Sequence, residues 1–202
     1  MKAIGGPWRM GLILAAFPPE LGPLAEAPPR GWETACTGVG ALTAAAITTR
    51  LLAERRPRAV VFLGTCGRYD GRLGLFECLW ATEAIATSLE ELRGGAYRPA
   101  IERTRWTATL EGPLPGRVVA VPPAITRTLE GARTLATVAP VEHLELTGVF
   151  AACESAGVPF GAALVVVNDV GPDAQAQWKA NHAEGSLRLI AALRGTGFFE
   201  GA

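Results

Sequence analysis

Three runs of this chain are apolar at every step rather than at every second one: Met10 to Phe17, Ala59 to Leu63 and Gly161 to Val167. A strand with one face in water alternates, whereas a strand covered on both faces has no polar side to show. Such runs belong inside an α/β sheet. Ala41 to Arg55 supplies a helix, with Leu42, Ala45, Ala46 and Leu52 at helical spacing and Arg50, Glu54 and Arg55 nearer the solvated side; Pro57 closes it. Glu33 to Thr37, Leu75 to Ala86, Arg117 to Val121 and Arg133 to Val138 read as further strands. Glu145 to Ala156 and Asp173 to Leu193 read as helices. Ser88 to Pro115 has no clear period and is read as excursion loops, with short elements at most, over one end of the sheet. The alternation predicts an α/β fold around a mainly parallel or mixed sheet, in one domain over residues 1–202.

Several function classes are disfavoured by composition. Nineteen basic and nineteen acidic side chains cancel, so no broad field draws nucleic acid or an anionic membrane. Cys36, Cys66, Cys78 and Cys153 are scattered, and His143 and His182 add no ligand spacing, so no metal is expected. No stretch reaches the roughly 20 apolar residues of a membrane span. Gly5, Gly6 and Pro7 interrupt the N-terminal segment, so no signal peptide is read there, and a cytoplasmic protein is expected.

Polar residues gather where the strands end. Glu20 follows the first run and Pro18-Pro19, Gly64-Thr65-Cys66-Gly67 follows the second, and Asn168-Asp169 follows the third. In an open α/β sheet the carboxyl ends of strands and neighbouring helix starts share a ligand crevice, which places Glu145 near Asn168 or Asp169. Glu20 is either a solvated turn residue or a general base for water. Glu145 is either a first-turn acid favouring its helix by about 0.3–1 kcal/mol or a bidentate ligand for vicinal hydroxyls. The Gly64 to Gly67 run is a tight turn or a place where backbone N–H groups meet a ligand. Gly38-Val39-Gly40 loosely fits a dinucleotide fingerprint but lacks a good preceding strand and a second-strand acid, so no nicotinamide cofactor is expected. Trp178, as a lone aromatic near a helix start, reads as core or subunit contact.

Glu142-His143-Leu144-Glu145, Gly64-Thr65-Cys66-Gly67 and the run to Trp80-Ala81-Thr82-Glu83 together resemble the nucleoside phosphorylase and nucleosidase superfamily. Asn168-Asp169-Val170-Gly171, with Trp178 beyond it, resembles the futalosine hydrolase branch. The likeness runs from Gly11 to about Leu193 and is weakest from Ser88 to Pro140. It implies a three-layer sandwich with a mixed, largely parallel central sheet. It also implies hydrolysis of the N-glycosidic bond of a purine nucleoside, such as futalosine (releasing hypoxanthine) or inosine. Glu20 would activate water, Glu145 and Leu144 would hold ribose, Thr65, Cys66 and Gly67 would line the base pocket, and Asn168 would bind the base and act in catalysis. No cofactor is implied, and a homodimer or larger homo-oligomer is.

The chain departs from that pattern in places. Leu144 stands for the usual Met, Ala41 for a Lys, so that any role of the Gly38 to Gly40 run is read as structural, and Asn168 for the Asp of adenine-cleaving relatives. A neutral amide both donates and accepts, which suits a 6-oxopurine, but it removes the obvious acid; Asp169 would compensate only if the register slipped by one. Glu142 reads as a nearby structural carboxylate, and His143 as a contact to the sugar substituent or as a surface or interface residue. Pro18-Pro19-Glu20 and Val61-Phe62 lack the Arg residues of phosphorylases, and Arg68 and Arg127 do not match their places, so hydrolysis is favoured. A phosphate-dependent phosphorylase and a non-catalytic nucleoside-binding protein stay as alternatives.

Overall fold

A computed structural model describes residues 10–200. Gly5, Gly6 and Pro7, and the reading of the N-terminal segment based on them, lie outside the described residues. The three apolar runs form β1 (Gly11–Ala15), β3 (Val60–Arg68) and β8 (Phe160–Asp169), with β1 and β8 both pairing parallel to β3. β2 (Trp32–Cys36) joins parallel to β1 at the edge. Beyond β8 lie β4 (Cys78–Ala86), β5 (Arg105–Thr107), β6 (Gly116–Val121) and β7 (Val141–Glu142). β8 pairs with both β3 and β4, and β7 pairs with both β3 and β6, so β3, β8, β4, β6 and β7 close into a ring. The β3–β7, β4–β5 and β4–β8 pairings are antiparallel and the rest parallel, which gives the mixed, largely parallel sheet.

Strict two-residue alternation explains why the apolar runs have no polar step. Leu12, Leu14, Val60, Phe62, Ala162 and Leu164 pack in one core with α2 (Ala41–Arg55) and α5 (Leu146–Ser155). Ile13, Val61, Leu63, Ala163 and Val165 face the other way, onto Leu189, Ile190 and Leu193 of α6 (Ala174–Gly195). The result is helix, sheet, helix. Among the described residues no helix is long and apolar enough to cross a membrane.

The α2–α5 contact sets the site. A Cβ on Gly148 would stand 1.9 Å from the Ala41 carbonyl oxygen, so only glycine lets α5 come this close to the first turn of α2. This approach also rotates α2 away from the face its sequence suggested. Its buried residues are Ala44, Thr48, Leu51 and Leu52, while Leu42 is 87% exposed. Small side chains meet α5 there, and the large Leu42 is left outside.

Other expectations shift as well. Arg133 to Val138 is not a strand: α4 (Leu129–Leu135) occupies its first half and a turn the rest, the helix started by Thr128, whose hydroxyl accepts from the Gly131 N–H at 3.0 Å. Ala132 and Leu135, three apart, then pack with Ala120 and Val170. The Gly64 to Gly67 run lies inside β3 rather than after it, and β4 starts at Cys78, because Gly74 to Glu77 turns with Phe76 at φ 64°. The Ser88 to Pro115 excursion holds only α3 (Leu89–Leu92) and the three-residue β5.

Candidate functional site

The carboxyl ends of β1, β3 and β8, the β7–α5 junction and the first turns of α6 enclose a cavity of about 500 Å³. Glu20, Thr65, Cys66, Gly67, Leu144, Glu145 and Asn168 all line it, although they come from four separate stretches of the chain.

Glu20 is no solvated turn residue. Pro18 opens a one-turn helix α1 (Pro18–Leu21) directly after β1 and turns Glu20 inward, leaving it 4% exposed. Its Oε2 accepts from the Ala16 N–H at 3.2 Å, and its Oε1 accepts from both the Thr65 N–H and the Thr65 hydroxyl at 2.9 Å. Burial pushes its carboxyl up to about 7, the nearby Glu145 adds to the rise, and the Thr65 and Ala16 hydrogen bonds oppose it.

Glu145 is buried at 5% exposure and does not cap its own helix. Its Oε1 accepts from the Gly40 N–H at 2.7 Å. Gly40 has φ +90°, a backbone state that L side chains rarely adopt, so the glycine before α2 has a definite task. The Gly38 to Gly40 run therefore anchors the carboxylate. Each carboxylate oxygen retains acceptor capacity toward the cavity.

His143 is neither a surface nor an interface residue in this chain. It is 4% exposed, edge-on to Phe62 with ring centroids 5.2 Å apart, and its Nε2 covers Gly64, where a Cβ would stand 2.7 Å away. Its Nδ1 accepts the Glu145 N–H at 3.1 Å, which puts the hydrogen of a neutral ring on Nε2. Burial lowers the imidazole's affinity for a second proton, with Glu145 opposing, so the 3.2 Å approach of Nδ1 to Glu145 Oε2 is not an ion pair. Glu142 also lines the cavity, and its Oε1 accepts from the Thr126 N–H at 3.3 Å. Its Oε2 and the Tyr69 hydroxyl are buried without hydrogen-bond geometry, near enough that Glu142 adds to the burial that holds the phenol protonated.

Asn168 reaches the cavity through a bulge. Cys66 pairs with Val166 but Gly67 pairs with Asn168, so one residue of β8 is extra at this point. The Asn168 amide lies over Gly67, where a Cβ would meet Nδ2 at 2.8 Å, and donates to the Asp169 carbonyl at 3.0 Å. Its Oδ1 has no partner among the described residues. Asp169 turns outward and pairs with Arg68 Nε at 2.6 Å. That removes both the slipped-register reading of Asp169 and Arg68 as an anion ligand. Arg127 is exposed and is not part of the cavity wall.

Cys66 is 3% exposed, and burial holds its thiol protonated. Trp178 is the wall residue that sequence reasoning undervalued. Its indole stacks on His182 with centroids 4.4 Å apart, lies 5.7 Å from the Phe17 ring, and donates Nε1–H to Thr65 Oγ1 at 3.1 Å. The sequence signals were its place just inside a helix that starts at a strand's carboxyl end and its part in the resemblance carried by the Asn168 to Gly171 run. Among the described residues no group of three His, Cys, Asp or Glu is disposed to hold a metal ion.

Three buried carboxylates, an amide and an aromatic wall at the carboxyl ends of parallel strands define an α/β protein with a small-molecule crevice. The family is the phosphorylase superfamily: its profile matches residues 34–194, and the chain belongs to it. That match begins beyond Glu20, which enters the site through the fold. No curated protein sequence matches the chain. Among solved structures, a futalosine hydrolase mutant of Helicobacter pylori superposes with TM-score 0.78 at 16% identity, over 92% of this chain and 97% of that one. The H. pylori 5′-methylthioadenosine/S-adenosylhomocysteine nucleosidase, as a mutant with 5′-methylthioadenosine in its active site, gives 0.79 at 16% over 93% and 97%. The corresponding nucleosidase of Neisseria meningitidis, in complex with methylthio-immucillin-A, gives 0.73 at 16% over 91% and 97%. At this identity the likeness is one of fold.

Proposed function

We propose that the protein is a nucleosidase that hydrolyses the N-glycosidic bond of a purine nucleoside, with a 6-oxopurine such as that of futalosine or inosine as the leaving base. The observation that carries this reading is Glu20, a buried carboxyl held near neutrality beside the cavity and facing a second carboxylate. A base of that strength takes a proton from water at physiological pH. Water attacks C1′ as Glu20 accepts its proton, and the electron pair of the C1′–N9 bond passes to the purine. Asn168 donates a hydrogen bond to N7 or O6 without supplying a proton, so the departing base takes its proton from solvent. Glu145, with Leu144 beside it, holds the 2′- and 3′-hydroxyls and offsets the positive charge that develops on the ribose. Thr65, Cys66 and Gly67 floor the base pocket.

The wall includes three carboxylates, Glu20, Glu142 and Glu145, and, among the described residues, no Lys or Arg, which favours water over phosphate as the nucleophile. Val39 and Ile125 line the same cavity at 61% and 51% exposure, apolar surface that suits closure by a second copy of the chain in a homodimer.

The test is chromatographic detection of free base from futalosine, inosine, adenosine and methylthioadenosine, each with and without phosphate. Hypoxanthine released without phosphate is the expected result. Strict phosphate dependence would assign a phosphorylase, and nucleoside binding without turnover would assign a non-catalytic binding protein.

A further inference from the structure

A hydrogen-bond chain runs from α6 to the proposed base. Trp178 Nε1–H donates to Thr65 Oγ1 at 3.1 Å, and Thr65 Oγ1 lies 2.9 Å from Glu20 Oε1. An indole nitrogen only donates, whereas a hydroxyl has one hydrogen and two lone pairs. With one lone pair engaged by Trp178, the Thr65 hydrogen is left to point at Glu20, where the Thr65 N–H already arrives at 2.9 Å. We propose that Trp178 is a positioning residue for Glu20: its indole N–H fixes the direction of the Thr65 hydroxyl, so that Glu20 Oε1 is held as a double acceptor in its ionised, water-activating form. This inference rests on the proposed role of Glu20 in hydrolysis and adds to it a part of the chain outside β1 and β3.

The indole has little freedom to do otherwise. His182 stacks on it at an interplanar angle of 14°, and Phe17 closes on both rings with centroids 5.7 Å and 6.2 Å away. His182 Nδ1 lies 3.1 Å from the Trp178 carbonyl oxygen, which only accepts, so that nitrogen carries the ring hydrogen. Without the indole donor, the Thr65 hydroxyl is free to turn and accept from a protonated Glu20, which favours the acid over the base. The other groups acting on Glu20 are Glu145 from the α5 junction, which disfavours its ionised form, and the Cys36 and Cys66 thiols, whose ionisation Glu20 itself opposes. His143 lies beside Glu145, and His182 lies behind Trp178. Trp178→Phe alters none of these titratable groups, so the effect of losing the N–H is read at Glu20.

The direct test is the carbon-13 NMR titration of the Glu20 carboxyl, assigned with Glu20→Gln, in the unsubstituted protein, Trp178→Phe, Thr65→Val and the double variant. Trp178→Phe keeps an aromatic ring against His182 and should raise the Glu20 midpoint by about half to one pH unit, part of what one charge-assisted hydrogen bond supplies. Thr65→Val should raise it too, and adding Trp178→Phe to Thr65→Val should change it no further. An unchanged midpoint in Trp178→Phe, or additive shifts in the double variant, overturns the proposal. The unsubstituted protein gives a check that needs no change at Trp178: its indole N–H resonance should titrate with the Glu20 midpoint and stay flat in Thr65→Val. A flat resonance in the unsubstituted protein also overturns it.

These measurements need no turnover, so failure to cleave any nucleoside would sink the nucleosidase reading while the hydrogen-bond chain is judged separately. If base is released, the acid limb of the pH–rate profile in Trp178→Phe should move upward with the NMR midpoint. A loss by the same factor at every pH would mark Trp178 as packing alone.

Discussion

Replacing Glu20 by Gln should remove activity and at the same time make folding stability depend on pH in a changed way. In the folded chain the Glu20 carboxyl, 4% exposed, keeps its proton up to about pH 7, against an ordinary value of 4.5. Between those two values the native state binds more protons than the unfolded chain. Stability therefore falls as pH rises through that window and levels off above it. Each unit of difference is worth about 1.4 kcal/mol. Integrating the two titrations from pH 5 to pH 8 gives a loss of about 2.5 kcal/mol attributable to this one group. Gln does not titrate, so the variant lacks that loss. The pH-independent effects of the substitution cancel when its stability increment is compared at the two pH values. Urea denaturation of both proteins at pH 5 and pH 8 measures it, and the increment should be larger at pH 8 by about 2.5 kcal/mol, or about 5–10 °C in Tm. An increment equal at both pH values within about 0.5 kcal/mol would show that Glu20 is not held near neutrality, and the general-base assignment would fall with it.

Gly148→Ala puts a Cβ 1.9 Å from the Ala41 carbonyl oxygen and 3.0 Å from the Ala45 nitrogen, both backbone, so it should cost about 3 kcal/mol in urea denaturation. A cost under about 1 kcal/mol would mean that α2 and α5 are not so closely packed. Asn168→Asp restores an ionisable acid at the base pocket. It should move the ratio of kcat/KM for adenosine over inosine about tenfold toward adenosine below neutral pH, the worth of one exchanged hydrogen bond. An unchanged ratio would remove Asn168 from base recognition.

The apolar runs made β1, β3 and β8 legible, because a residue's step along a strand decides its face, and a run with no polar step needs cover on both sides. The carboxyl-end residues Glu20, Thr65 and Asn168 followed from the same reading, since strand direction alone brings those ends to one edge. α4 was misread because its Thr128 cap and its Ala132 and Leu135 contacts outweighed local strand preference. The exposed Leu42 was misplaced because sequence period gives a helix a stripe but does not say which neighbour the stripe must meet. The roles of Gly40 and Trp178 were hidden by distance: Gly40 meets Glu145 across 105 residues, and Trp178 meets Thr65 across 113. By itself the sequence determined β1, β3 and β8, their two-sided burial and the edge where polar groups collect, all of which depend on periodicity along one segment. Only the tertiary structure decided that the β8 bulge turns Asn168 inward and leaves Asp169 outside, that Gly40 holds Glu145, and that the Trp178 indole meets the Thr65 hydroxyl. Register and approach belong to pairs of segments, and no single segment encodes the position of its partner.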